Sequence, residues 1–129
     1  MCLTIKKGEE IKKAEEDITC YKLLYETQSG CYLSICREYP YKLGQTYKMV
    51  GELSVRYEDG IYEGIHGVTV KTVDHDTNRI SGGRGWVFHV IVLCIIPKGS
   101  MYCLGTDNEI VADTMTLKEV VYDTGQRRL

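Results

Sequence analysis

The run WVFHVIVLCII, Trp86 to Ile96, is the longest apolar stretch in the chain and constrains the fold more than any other segment. Its eleven residues cover about half of the ~20 that a membrane-spanning helix needs. Valine, isoleucine and aromatic residues dominate it, and apolar residues fall on both faces of a period-two pattern. It therefore reads as a central strand covered on two sides. The segment before it, DHDTNRISGGRG (74–85), is the longest without an apolar pattern and reads as a surface loop at the rim of that strand.

Most of the remaining chain has strand character. ITCYKLLY (18–25) and GCYLSICREY (30–39) are β-branched and aromatic, and the polar connection ETQSG between them predicts a hairpin. Pro40 marks a bend or a sheet edge, and Gly44 a turn. Two further short strands flank Glu58-Asp59-Gly60, whose Asp-Gly pair suits a hairpin turn. Val68 and Val70 alternate with Thr69 and Lys71, as in a strand with one wet face. SMYCLG and NEIVADTMTLKEVVY (108–122) complete the series, the latter with Ile110, Ala112, Met115 and Leu117 inward and a bulge near Asp113–Thr114 holding that set in register. Only GEEIKKAEE (8–16) favours a helix, through propensity and the i,i+4 pairs Glu9–Lys13 and Lys12–Glu16. The sum is an α+β fold, strongly β-weighted. It is a single mainly antiparallel sheet, or a partly closed barrel, of about seven strands with one or two short helices. Residues 1–129 read as one domain, with an N-terminal helical segment over 1–17 and a frayed tail over 123–129.

Net charge is −2, and Lys and Arg are scattered among acidic residues, which disfavours nucleic acid and anionic membranes as partners. The start of the chain turns charged by Lys6 and has no apolar core of signal-peptide length, so the expected location is cytoplasmic. In that setting the six cysteines, Cys2, Cys20, Cys31, Cys36, Cys94 and Cys103, are expected as reduced thiols. No Cys-x-x-Cys pair occurs, and no metal site or cofactor is expected.

Pro97-Lys98-Gly99-Ser100 superficially suggests a phosphate loop. However, no glycine stands in the five residues before the lysine, and a strand follows where a helix is required. It reads as a hairpin turn, with Pro97 at the second position, Gly99 at the fourth, and a positive φ at Gly99. Gly82, Gly83 and Arg84 are different: successive amides with an adjacent guanidinium can cradle an anion. Of the histidines, His75 lies between Asp74 and Asp76, and His89 inside the apolar run. His66 stands out because Gly64 and Gly67 beside it permit close approach of a backbone or a ligand. Ten tyrosines, eight in the first half, suit half-buried strands and binding surfaces alike.

The segments CYK, CREYPYKLGQTY, DGIYEGIHGV and IPKGSMYCLGTDNEIVADTMTL together resemble, over residues 20–118, a group of small proteins encoded by phages and by bacteria carrying mobile elements. That resemblance implies no particular activity. More distantly, Tyr21-Lys22 and Gly64-Ile65-His66 are similar in placement to the Tyr-Arg and Gly-aromatic motifs of ADP-ribosyltransferase-like folds. The chain departs from that pattern in having no Ser-Thr-Ser strand, and Glu109 is its candidate for the catalytic carboxylate.

The expected function is a small binding module, phage-like, that binds a host protein or sequesters a small charged, nucleotide-like ligand. Tyr21, Arg37, His66, Gly82, Gly83 and Arg84 are its candidate contacts. One alternative is an enzyme acting on a nucleotide substrate through His66, Arg37 and Glu109. The other is a self-assembling component that pairs by an exposed strand edge into a homo-oligomer.

Overall fold

The computed structural model describes residues 3–26, 32–34, 40–56, 60–69 and 89–123. Their strands are β1 (Leu3–Thr4), β2 (Lys12–Lys13), β3 (Ile18–Glu26), β4 (Tyr32–Ser34), β5 (Pro40–Tyr41), β6 (Thr46–Lys48), β7 (Gly60–Ile61), β8 (Ile65–Val68), β9 (His89–Ile96), β10 (Met101–Leu104), β11 (Glu109–Ala112) and β12 (Thr114–Asp123). One ten-stranded sheet carries eight of them in the order β2-β10-β11-β8-β3-β9-β12-β6, with β4 pairing β3 and β5 pairing β4. β1 and β7 form a separate two-stranded sheet. Every strand pairing is antiparallel. The chain is thus strongly β-rich, and no helix among the described residues is long and apolar enough to cross a membrane.

The apolar run supplies β9, which lies between β3 and β12 as a central strand. Val90, Val92, Cys94 and Ile96 alternate onto one face, where Cys20 and Leu24 of β3 and Met115 and Leu117 of β12 join them in the main core. The other face is less covered than the sequence predicts. Ile91 is buried at 9% exposure, but Leu93 and Ile95 are only partly covered. Among the described residues, β11 is packed on both sides. Ile110 and Ala112 enter the main core, while Val111 joins a second cluster with Leu3, Leu53, Ile61 and Cys103. The small β1–β7 sheet supplies Leu3 and Ile61 to that cluster.

Three local expectations are corrected. The segment 8–16 is not a helix: Lys12 and Lys13 pair with Tyr102 and Met101 as β2, and Ala14 N donates to Ser100 O at 2.8 Å. Helix propensity and exposed charge pairs contribute only tenths of a kcal/mol per residue, so strand pairing that also buries Ala14 overrides them. Only Glu9 and Lys12 form an ion pair there. Pro97–Ser100 is a turn but not a hairpin, because β9 and β10 do not pair with each other. Ser100 N donates to Pro97 O, which places Gly99, at φ 92°, in the third position, where a type II turn needs positive φ. A hairpin turn does join β10 to β11, where Asp107 and Asn108 take φ of 56° and 62°. Both residue types tolerate that conformation.

The third correction concerns 108–122, which forms two strands and not one bulged strand. β11 and β12 are separated by Asp113 alone in the chain, yet β8, β3 and β9 lie between them in the sheet order. The sheet therefore curls, and Asp113 is the corner. Its N–H donates to Met101 O at 3.0 Å, its carbonyl accepts from Met49 N at 2.8 Å, and its Oδ1 accepts from Met101 N and Thr114 Oγ1, each at 3.1 Å. The expected inward set, Ile110, Ala112, Met115 and Leu117, is fully buried on both sides of this corner. Asp113→Ala should cost about 1–3 kcal/mol by stranding the Met101 amide. Urea unfolding of the variant checks this, with Asp113→Asn, which keeps an acceptor, expected to lose less.

Candidate functional site

Of the residues singled out in the sequence, Tyr21, His66 and Glu109 are described, and the strand register places them on one face. Tyr21 pairs with Val68, and Val68 with Glu109, forming a rung across β3, β8 and β11. His66 lies two residues from Val68 and so shares its face. The rung does not form a catalytic constellation. His66 Nε2 is 3.3 Å from Ile61 O, and burial, aided by the Lys22 charge and opposed by the Ile61 hydrogen bond, depresses its pKa to about 4. Burial and the neighbouring Asp107 raise the Glu109 carboxyl above its ordinary value. Arg37, Gly82, Gly83 and Arg84 lie outside the described residues.

The two glycines beside His66 serve packing. A Cβ on Gly67 would stand 2.7 Å from Tyr21 O, so its absence lets β8 cross close to β3. Gly64 has φ 135°, and a Cβ there would meet Val111 and Leu53 within 2.7 Å.

The opposite, concave face holds a group that the sequence reading did not single out. Along β3 the even positions Cys20, Lys22 and Leu24 point into the core, and Lys22 is only 7% exposed. Its ammonium donates to the carbonyl oxygen of His66 and lies 5.2 Å from the centre of the buried Tyr41 ring. Tyr47 packs edge-on against Tyr41 with ring centroids 4.9 Å apart. No carboxylate among the described residues pairs with Lys22. Burial therefore dominates and lowers its pKa to about 8. His66 thus contributes its backbone to the interior and its imidazole to the other face.

Sulfur atoms fill the next position along the interior. Cys20 and Cys94 are directly opposed across β3 and β9, and Cys20 Sγ is 3.9 Å from Met115 Sδ. All three side chains are fully buried. Cys20 donates its thiol hydrogen to Met115 Sδ, and Cys94 donates its own to Val92 O at 3.5 Å. The neighbouring Cys94 raises the Cys20 pKa, with burial reinforcing it; Cys20 in turn lowers that of Cys94, against burial and with the Lys22 charge assisting. Cys20, Cys94 and Cys103 are free thiols, as expected, while Cys2, Cys31 and Cys36 lie outside the described residues. One signal for this cluster was present in the sequence. CYKL places a lysine at the inward phase of a strand whose neighbours two residues away are Cys20 and Leu24.

Comparison of the chain with protein-family models, with curated proteins and with solved structures gave no match in any of the three.

The His66 shift has a defined pH consequence. Between about pH 4 and 6.5 the unfolded chain binds more protons at this residue than the folded one, so stability falls as pH falls through that window. Urea unfolding at pH 7 and pH 4.5 should show a loss on the order of 2 kcal/mol that His66→Gln removes.

Proposed function

We propose that this protein is a small, non-enzymatic binding module of phage or mobile-element type that sequesters a small anionic, nucleotide-like ligand inside its curled sheet. Lys22 is the anchor. The observation that carries this reading is a buried ammonium held by one carbonyl and one aromatic ring, with no carboxylate facing it among the described residues. An unneutralised charge in an apolar core costs several kcal/mol, and an apolar side chain of similar length would fill the same volume without that cost. A ligand phosphate or carboxylate would supply the countercharge that no carboxylate of the described residues provides.

Two observations weigh against the other readings. The strands at the ends of the main sheet's path are short and carry Lys12, Lys13 and Lys48, a composition that discourages edge-to-edge pairing. On the outer face, His66 bonds to Ile61 and not to Glu109. That leaves the enzyme reading without a connected acid–base pair among the described residues.

Lys22→Met separates a ligand anchor from a structural strut. The variant should unfold at higher urea, with a gain of about 1–3 kcal/mol. It should also lose at least roughly tenfold in affinity for nucleotides in a calorimetric titration. A destabilised variant, together with no heat or thermal shift from any nucleoside mono-, di- or triphosphate on the native chain, would sink the proposal.

A further inference from the structure

We infer that Cys20, Cys94 and Met115 form a binding site for one soft monovalent metal ion, copper(I). The register sets two thiols directly opposite each other on the concave face of β3 and β9, and the Met115 thioether of β12, two residues from the Leu117 that pairs with Cys94, meets the Cys20 sulfur. Metal–sulfur bonds of about 2.3 Å in a trigonal plane place the sulfurs roughly 4 Å apart. The Cys20–Met115 separation is 3.9 Å, so the pair already stands at the required spacing. The donor set is soft, with two thiolates and one thioether, and among the described residues no cluster of three histidine, cysteine or carboxylate groups offers a zinc-type alternative.

Charge argues for the same ion. Binding releases one proton from each thiol, so two thiolates, a neutral thioether and copper(I) leave one net negative charge in the core. Lys22 is two residues from Cys20 on the same face, and its ammonium balances that charge. A divalent ion would give a neutral complex and leave the ammonium uncompensated. Ligand rigidity comes from the sheet: all three sulfurs sit on the central strands and are fully buried.

This site draws on the same positive charge as the anion reading but does not rest on it. The two occupants compete for one ammonium, so copper loading should weaken nucleotide binding, and by reciprocity nucleotide should weaken copper binding.

The test uses the full chain with Cys2, Cys31, Cys36 and Cys103 each changed to Ser, titrated anaerobically with copper(I) against a chromophoric copper(I) chelator. The expected result is one copper per chain and an X-ray absorption spectrum with three sulfurs at about 2.3 Å. Met115→Leu should reduce the shell to two sulfurs and cost roughly tenfold in affinity, and Cys20→Ser with Cys94→Ser should abolish binding. A chelator that keeps all the copper, or a sulfur shell that Met115→Leu leaves unchanged, overturns the proposal. Should the double cysteine variant fail to fold, the sulfur count and Met115→Leu decide alone. Copper binding is read without nucleotide present, so its failure and the failure of anion binding are separately visible.

Discussion

The antiparallel register of β3 on β9 is the constraint on which the rest of the structure depends. Ile18 to Tyr25 pair in unbroken sequence with Ile96 to His89. Because side chains alternate with a period of two, this register decides at one stroke that Cys20, Lys22 and Leu24 face inward with Val92 and Cys94. A slip by one residue would put Tyr21 and Leu23 in the core and send the lysine and its neighbouring thiol to the outer surface. Apolar burial favours the observed phase on the β9 side, where Val90, Val92, Cys94 and Ile96 are all fully buried. Lys22 is carried inward by its neighbours.

That forced burial has electrostatic consequences on both sides of the sheet. Inside, the ammonium has the His66 carbonyl, the Tyr41 ring and the polarisable sulfurs of Cys20 and Cys94 around it. Outside, the same residue's charge adds to burial in keeping His66 neutral. A single side chain thus couples the interior to the face where the sequence placed its candidate site. The one backbone group they share is the His66 carbonyl. The close crossing of β8 over β3 that makes this contact requires Gly67, since any Cβ there would collide with the Tyr21 carbonyl.

The corner at Asp113 explains why a chain of short strands acts as one curled sheet. Met101 and Met49, from β10 and the end of β6, both bond to this residue, so segments remote in the sheet order are tied at one point. The inward phase survives the corner: Ala112 before it and Met115 after it enter the same core. It is this continuity that brings the Met115 sulfur to the Cys20–Cys94 pair.

Several features were legible in the amino-acid order because they depend on local chemistry. Residues 89–96 had to form a strand inside the sheet, a positive φ had to fall at Gly99, and Ile110, Ala112, Met115 and Leu117 had to share a buried surface. Period-two alternation and turn stereochemistry need no distant partner. The strand at Lys12–Lys13 is not legible locally, because helix preference is weak and the strand it pairs with, β10, lies far along the chain. The inward position of Lys22 is hidden for a related reason. Alternation tells which residues share a face but not which face is wet, and a lysine is assigned to the wet one by default. Only the long-range register of β3, β8 and β9 could reverse that assignment, because it is there that hydrogen bonding across strands outweighs the preference of one side chain for water.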